Sequence, residues 1–421
     1  MANSLTEVEQ IAWERVCERA ESMNSFLQTA EMYKPEGGYS EAAGNTIRIP
    51  YANQVQTTNG LDLTGNEQDV ADITVPISTS KSDIKNSFFS LDVTESRFER
   101  RVKDNIDAGI DQLAVDFNTD ITNIIRDEGA LVGAETGNLS TYSDFAKGDA
   151  LLREVQAPMM GGQYMYLGPR NALNMANELG SRDTDNKRDH GAYEYGKLPS
   201  IAQFHTYKSD VIGELSGSSS SGVTVNGANQ DVTPVAYDSN LHPNGYAAGE
   251  TDDVRSQTLA VSASHGLVAG DAFTIAGVNR VSHLGKQNTG QSATFRVTAV
   301  NGNNLTISPA IVSDGAYRNV SAAPANGAAI TVVNTAAAEP VVFSASGACT
   351  FFVSDINWAA LEGSAHVVNG YTTKYGLSIY FLREGSATTG AVRYRLSAWG
   401  RPNIVKPEYC GILLPGQGAA V

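Results

Sequence analysis

One long run of apolar residues at helical spacing dominates the hydrophobic pattern of the chain. The spacing places the run on one helical face, and its members are Phe98, Val102, Ile106, Ile110, Leu113, Phe117, Ile121 and Ile124. Ser96 and Glu99 form a capping-box pair, and Gly129 stands where a terminating glycine is expected. The pattern predicts a helix over 96–128, roughly 50 Å long at about 1.5 Å per residue. Its frequent steps of four favour a stiff one-faced rod over a coiled coil.

A second, shorter amphipathic helix is predicted near the start of the chain. Ser4 and Glu7 fit a capping box, and apolar residues recur at helical spacing behind them. Acidic residues that include Glu14 and Glu18 occupy the other faces. Two interpretations of these acids stay open: a solvated face of a terminal helix, or an acidic docking surface.

Two segments, 46–51 and 70–77, alternate apolar and polar residues and predict a pair of strands. Each contains a proline, which is typical of sheet edges, and the stretch between them is polar. An isolated two-stranded ribbon is marginal in water. We therefore expect this ribbon to rest on another subunit.

Helical and extended patterns alternate after Gly129. Residues 145–155 and 171–179 have helical spacing, whereas 163–167 and 198–207 have the composition of strands. This interleaving predicts an α+β domain.

A Ser/Gly-rich joint over 215–222 begins a segment with few charges and no helical periodicity, which continues to residue 340. Short strands with turn signals are predicted there at 222–225, 258–261, 272–275, 293–300, 305–307 and 329–333. Asn301-Gly-Asn-Asn304 is a hairpin turn between two of them. The segment is predicted to be a small β-barrel or sandwich inserted into the α+β chain.

The predicted insert contains a long irregular loop, 237–255, whose far end is densely charged. The charged residues are Glu250, Asp252, Asp253 and Arg255. Long loops in compact domains are often functional, so a solvated tip and an interface loop are both open interpretations.

Composition sets limits on function. The 421 residues, 41% of them hydrophobic, suffice for two or three packed units. The net charge of −16 (30 basic minus 46 acidic residues) repels phosphate, so sequence-specific nucleic-acid binding is not expected. Three distant cysteines do not make a disulfide framework. No signal peptide and no membrane span are expected.

No recognisable catalytic or metal-binding pattern occurs in the sequence. The six histidines lack ligand spacing, and phosphate-binding and nucleophile motifs are missing. The segment Asp183–Asp189 resembles a calcium loop but lacks its glycine and its final glutamate. We predict no catalytic residue, no metal and no cofactor; the chain is expected to be an assembly protein and not an enzyme.

The order of these parts resembles the coat proteins of short-tailed, Salmonella-type phages, which have the Hong Kong 97 capsid fold. The segments that resemble the family are Asn45-Thr-Ile-Arg-Ile-Pro50, Asn86-Ser-Phe-Phe-Ser-Leu91, Phe98-Glu-Arg-Arg-Val102, Gly266-Leu-Val-Ala-Gly-Asp271, Phe273-Thr-Ile-Ala-Gly-Val278, Ala293-Thr-Phe-Arg-Val297, Leu396-Ser-Ala-Trp-Gly400 and Gly411-Ile-Leu-Leu-Pro-Gly-Gln417. Their order and spacing carry the resemblance more than any one of them does.

The resemblance implies an α+β capsid fold with a long spine helix, an extended β-ribbon loop and an inserted small all-β barrel. The implied parts are an N-terminal arm (1–44), the ribbon loop (45–90), a peripheral domain with the spine helix (91–145), an axial domain in two pieces (146–215 and 341–393), the inserted barrel (216–340), and a C-terminal peripheral strand and tail (394–421).

The resemblance also implies partners and a location. Copies of the chain would form hexamers and pentamers of an icosahedral virion shell, made in the host bacterial cytoplasm, with a portal protein at one vertex and double-stranded DNA inside. Glu14 and Glu18 match the positions that meet a basic helix of a scaffolding protein, while Arg15 stands where an acid is expected. Asp253 and Arg255, with Glu250 and Asp252 beside them, match a loop that reaches another capsomer.

Two alternatives remain at the level of sequence. An encapsulin-type bacterial compartment shell shares the fold but is disfavoured by the insert. An extracellular β-rich, carbohydrate-active enzyme is disfavoured by the missing signal peptide and by the lack of aromatic and carboxylate clusters.

Overall fold

The computed structural model describes residues 13–18, 27–34, 46–51, 54–55, 61, 73–78, 80–92, 99–158, 161–181, 202–237, 246–356, 367–374, 376–386 and 390–419. The chain divides into two units. The first comprises 1–47, 78–121 and 350–403, and the second comprises 48–77, 122–349 and 404–421. Residues 13–18 are helical and are labelled α1. The predicted capping residues Ser4, Glu7 and Ser96 lie outside the described residues.

The first unit is built on a six-stranded sheet. Its strands are β1 (Glu31–Tyr33), β4 (Ile84–Asp92), β16 (Cys349–Val353), β17 (Val367–Thr372), β18 (Ser378–Ser386) and β19 (Ala391–Ile404). They lie in the order β1-β16-β19-β18-β17, with β4 paired to β19. The β4–β19 ladder is antiparallel and runs from Ile84 opposite Trp399 to Asp92 opposite Ala391.

The predicted long helix is present as α2 (Glu99–Glu128). Its apolar stripe is buried from Val102 to Ile121, as the spacing predicts. A Cβ added at Gly109 would lie 3.0 Å from the Leu396 side chain, so glycine lets the helix pack closely on β19. The last step of the stripe differs from the prediction: Ile125 is 1% exposed, whereas Ile124 is only half-buried.

Gly129 ends this helix for a reason other than the one the sequence suggests. Its φ angle is not positive, so it is not the left-handed cap expected of a terminating glycine. A Cβ on Gly129 would instead meet the backbone of Gly411 at 3.0 Å, and one on Gly411 would overlap the Leu131 carbonyl. The two glycines permit a backbone approach that no larger residue allows.

The second unit contains a mixed five-stranded sheet, β5-β20-β15-β6-β7. Its strands are β5 (Leu131–Ala134), β6 (Gln163–Leu167), β7 (Phe204–Lys208), β15 (Val341–Ala345) and β20 (Cys410–Leu414). Helices α3 (Tyr142–Val155) and α4 (Pro169–Ser181) accompany it. Phe145, Leu152 and Val155 of α3 are buried. Helix α3, strand β6 and helix α4 confirm the elements predicted at 145–155, 163–167 and 171–179. The strand predicted at 198–207 is present only from Phe204, after a turn at 202–203, and residues 198–201 lie outside the described residues.

A second five-stranded sheet lies within residues 216–340, the segment called the insert below. It has the order β10-β13-β12-β11-β14, and its strands are β10 (Gln257–Ala260), β11 (Ala272–Val281), β12 (Asn288–Asn301), β13 (Asn304–Ser308) and β14 (Ile330–Val332). Every neighbouring pair is antiparallel. Two further pairs are short: β2 (Thr46–Pro50) with β3 (Thr74–Ser78), and β8 (Thr233–Pro234) with β9 (Glu250–Thr251).

The hairpin predicted within the insert is present. Asn301 pairs with Asn304, which leaves Gly302 and Asn303 as a two-residue turn. Gly302 has φ +60°, the conformation for which a tight hairpin turn recruits glycine. By contrast, 222–225 contributes only isolated bridges, from Thr224 and Val225 to residues beside β14 and β10. A fully closed barrel stays a prediction.

The two ends of the insert run side by side. The Leu215 N–H donates to the Ala338 carbonyl at 2.9 Å, and the Ala338 N–H donates back at 3.0 Å. The Asn334 side chain adds bonds to the Ser216 carbonyl and to Asp271. The chain therefore enters and leaves this segment at adjacent points, as expected for an insertion.

Candidate assembly surfaces

The base of the predicted ribbon, strands β2 and β3, packs on the insert of its own chain. Tyr51, Ile73, Val75 and Ile77 are each at most 5% exposed. They share a hydrophobic cluster with Val254, Val312, Tyr317 and Val405. Burying one such aliphatic side chain contributes about 1.5–3 kcal/mol. The expectation that the ribbon rests on another subunit is therefore wrong for its base.

An ion pair joins β2 to the charged loop of the insert. Arg48 Nη1 donates to Asp252 Oδ2 at 2.5 Å, although the two residues are 204 positions apart. The Arg48 guanidinium also lies 3.4 Å from the ring centroid of Tyr237 and donates to Thr74 of β3. Asp252 accepts a further bond from Tyr246; burial and the Asp252 charge raise the pKa of that phenol to about 12. Asp252 is thus enclosed by partners from its own chain.

Arg255 forms a second link to the ribbon. Its guanidinium donates to both carboxylate oxygens of Asp253 and also to the Pro76 carbonyl of β3 at 2.8 Å. A longer bond of 3.3 Å reaches the Ile404 carbonyl. Because Pro76 belongs to β3 and Ile404 to the end of β19, one side chain holds three segments together.

A third link uses a buried titratable cluster. Gln54 of the ribbon lies 3.0 Å from His283 Nδ1 and accepts from Lys286 Nζ at 2.7 Å. His283 Nε2 lies 2.5 Å from a carboxylate oxygen of Glu408, which also accepts from Asn319. Burial alone would raise the pKa of Glu408, but His283, Asn319 and Lys286 hold it below its usual value. Burial lowers the pKa of Lys286 to about 8. The three links are called the ribbon contact below.

The insert also touches the C-terminal end of α2. Arg296 of β12 is fully buried, and its guanidinium donates to the Arg126 carbonyl at 2.6 Å and more weakly to that of Asp127. Ser308 and Thr294 donate to the carbonyls of Glu128 and Ala130. The last carbonyls of a helix lack partners within it and carry its negative dipole end. Arg296 and Ser308 satisfy three of them, and Thr294 binds the Ala130 carbonyl just beyond the helix. Arg296, Thr294 and Ser308 are together called the helix-end contact.

Residues 13–18 of the N-terminal helix are tied to α2 by a two-pronged ion pair. Arg15 Nε and Nη2 donate to the two carboxylate oxygens of Asp107 at 2.9 and 2.7 Å, and Nη1 reaches Glu18 at 3.2 Å. Glu14 is exposed, and the Glu18 side chain is 70% exposed. Arg15 therefore faces its own helix α2, while both predicted docking acids face solvent.

The residues selected from sequence thus fall into two groups. In the first group, Glu14 and Glu18 are exposed, and Glu250 is half-buried with a carboxylate that accepts the backbone N–H of Ala247. Asp252, Asp253 and Arg255 instead have partners inside the chain. Sequence reasoning missed the roles of Arg48, Asp107, His283, Arg296 and Glu408. Their signal is weak: each is a single charged or titratable residue in an apolar strand, a helix or a turn.

The described residues contain neither a membrane-spanning helix nor a metal-binding cluster. No helix in that part of the chain is long and apolar enough to cross a membrane. No group of three or more His, Cys, Asp or Glu side chains there is arranged to hold a metal ion.

A long helix on a sheet, a two-stranded ribbon base and a mixed sheet accompanied by helices are the described parts that the resemblance to Hong Kong 97-like capsid subunits predicts. The family model described as P22 coat protein (gene protein 5) matches residues 1–416. The chain belongs to the P22 coat protein family, whose members are structural proteins of the virion shell and not enzymes.

Three solved structures illustrate the likeness. The chain is 46% identical to the CUS-3 coat protein I-domain over 27% of this chain and 95% of that one, with a TM-score of 0.21. It is 11% identical to a chain of Mycobacterium phage Che8 over 89% and 87% of the two chains, with a TM-score of 0.41. An encapsulin complex from Synechococcus elongatus matches at 10% identity over 99% and 93%, with a TM-score of 0.42.

Proposed function

We propose that the chain is a major capsid protein whose copies assemble as hexamers and pentamers into an icosahedral shell around double-stranded phage DNA. Assembly is directed by a scaffolding protein in the host cytoplasm, and a portal protein occupies one vertex. The observation that carries the proposal is the family match over residues 1–416. A net charge of −16 suits a container that does not hold its DNA by sequence-specific contacts.

The scaffolding protein is proposed to dock on the acidic side of the N-terminal helix. Glu14 and Glu18 are solvent-exposed, and Asp107 neutralises the one cation between them. Individual exposed ion pairs contribute less than about 1 kcal/mol. A basic partner helix therefore gains from several such contacts repeated over the shell, and that gain weakens with salt.

Charge reversal at both acids tests this docking surface. The double variant Glu14→Lys/Glu18→Lys should lower the yield of scaffold-directed particles at least several-fold while the subunit stays folded by circular dichroism. A matched control reverses two exposed acids of the second unit, Asp210 and Asp314, and should assemble normally. Wild-type yield from the Glu14/Glu18 variant would refute the docking surface.

The charged loop 237–255 is proposed to reach a neighbouring capsomer. The contacts of Asp252, Asp253 and Arg255 lie within the chain, so Glu250 is the member of the four with the least engaged side chain. This supports assigning the contact with the neighbour first to Glu250. Reversing Glu250 should then disturb particles without changing the unassembled subunit.

Electron microscopy of the expressed chain tests the capsid proposal as a whole. Co-expression with a candidate scaffolding protein should give closed particles of uniform diameter, and the chain alone should give fewer or irregular ones. Closed particles that form without scaffold and enclose a cargo enzyme would instead establish an encapsulin-type compartment. Small soluble oligomers under every condition would contradict both.

A further inference from the structure

The ion pair between Arg48 and Asp252 joins the ribbon to the insert, and the Asp252 carboxylate in this pair is buried. Asp252 is 9% exposed, and its described partners are Arg48 of β2 and Tyr246 of the same loop. Arg48 in turn contacts the Tyr237 ring and the Thr74 hydroxyl of β3. A carboxylate enclosed in this way cannot reach a neighbouring subunit without first giving up its internal partners, which costs more than an exposed pair returns.

The same loop also contacts the other ribbon strand, β3, through Arg255 at the far end of the charged segment. Arg255 donates to the Pro76 carbonyl of β3, and Asp253 fixes the guanidinium in place through a two-pronged pair. Val254, which lies between these two residues in sequence, is buried in the cluster that contains Ile73 and Val75. Asp252 and Arg255 thus bind the ribbon through polar groups, and Val254 binds it by apolar packing.

We propose that segment 252–255 of the insert is a positioning element for the ribbon of its own chain, with the Arg48–Asp252 pair as its lock. The lock fixes the direction in which the ribbon leaves the subunit before any other subunit is met. The importance of that direction for shell assembly rests on the proposed capsid function, whereas the lock itself is a property of the single chain.

Hydrogen exchange on the unassembled full-length subunit tests the lock without involving any capsomer contact. The Asp252→Asn variant should speed amide exchange at Tyr51 and across 74–78 roughly tenfold, because the ribbon base opens locally more often. The amides of β12 should keep their wild-type protection. Glu250→Gln is the matched control from the same loop and should leave ribbon exchange unchanged.

Two further variants guard against a general folding defect. Exchanging the charges in Arg48→Asp/Asp252→Arg should recover part of the lost protection, since the pair is rebuilt in reverse. Tyr237→Leu removes only the ring under Arg48 and should speed ribbon exchange about two- to fivefold.

Ribbon exchange that stays at the wild-type rate in Asp252→Asn would overturn the lock. If the same variant nevertheless gave aberrant particles, Asp252 would act between capsomers, and the capsid proposal would stand while the lock failed. Faster ribbon exchange in the free subunit together with failed scaffolded assembly supports both.

Discussion

Two of the contacts that the insert makes with the rest of its unit differ in chemistry. At the helix-end contact a fully buried arginine and two hydroxyls donate to backbone carbonyls, which do not titrate. At the ribbon contact the partners are carboxylates, a histidine, a lysine and amide groups, several of them part-exposed. The first is suited to permanent framework, and the second to a joint whose strength responds to pH, salt and neighbouring subunits.

Burial explains why the two contacts should differ in strength. Burial lowers the pKa of Arg296 to about 10, so the side chain is still charged at neutral pH. Its Nη1 has no partner among the described residues. A buried guanidinium is stable in the folded state only if it is hydrogen-bonded, and here the carbonyls at the end of α2 accept its bonds. The arginines of the ribbon contact are only part-buried, with the Arg48 side chain 27% and the Arg255 side chain 21% exposed, so solvent can replace a bond lost by either and that loss costs less.

The largest expected effect comes from breaking the helix-end contact. Arg296→Met should destabilise the unassembled subunit by about 2–4 kcal/mol, because the carbonyls of Arg126 and Asp127 are left buried without a donor. Urea denaturation measures the loss. Arg296→Lys, which keeps the charge, should lose less, and Arg393→Met at an exposed position should lose almost nothing. An Arg296→Met subunit with the wild-type free energy of unfolding would show that the helix-end contact does not stabilise the fold.

A smaller effect is expected at the titratable side of the ribbon contact. Glu408→Gln should cost about 1–3 kcal/mol near pH 7, because Lys286 and His283 lose the carboxylate that faces them. The folded-state pKa of Glu408 is lowered, so its stabilisation is present above the ordinary glutamate pKa and is lost as pH falls through the lowered value.

The urea midpoints of wild type and Glu408→Gln should therefore converge at acid pH and separate near neutrality. Glu384→Gln, an exposed acid of β18, provides the control and should track wild type throughout. A gap between the curves that is constant from acid to neutral pH would show that Glu408 acts by shape and not by charge.

Much of the fold follows from local patterns, and its departures have local causes. The three- and four-residue steps predict α2, and strict alternation together with Asn301–Asn304 predicts the central hairpin of the insert. Ile125 replaces Ile124 at the end of the stripe because a 3.6-residue helix turns its apolar face gradually away from any fixed step. Gly129 does follow the last residue of the helix, as predicted, but glycine is required there by the close approach of Gly411, which is distant in sequence, and not by a left-handed cap.

The assembly surfaces were less predictable than the fold. The acids of the 252–255 cluster are visible in the sequence, but the arginine that encloses Asp252 lies 204 positions away in a strand that reads as an ordinary alternating ribbon. Arg15 likewise interrupts an expected acidic pattern, and only the structure shows that Asp107 pairs with it. The sequence pattern therefore identifies charged residues such as Asp252 and Arg15, but their partners Arg48 and Asp107 can be identified only in the folded chain.

Within one subunit, the insert should hold the end of α2 more firmly than it holds the base of the ribbon. Amide hydrogen exchange on the unassembled wild-type protein measures both in one experiment. The amides of 124–128 in α2 should fall in the slowest-exchanging class together with those of β12, while the amides of 74–78 in β3 should exchange faster through more frequent local openings. Equal protection of the ribbon and the helix end, or a helix end that opens while β12 stays closed, would contradict it.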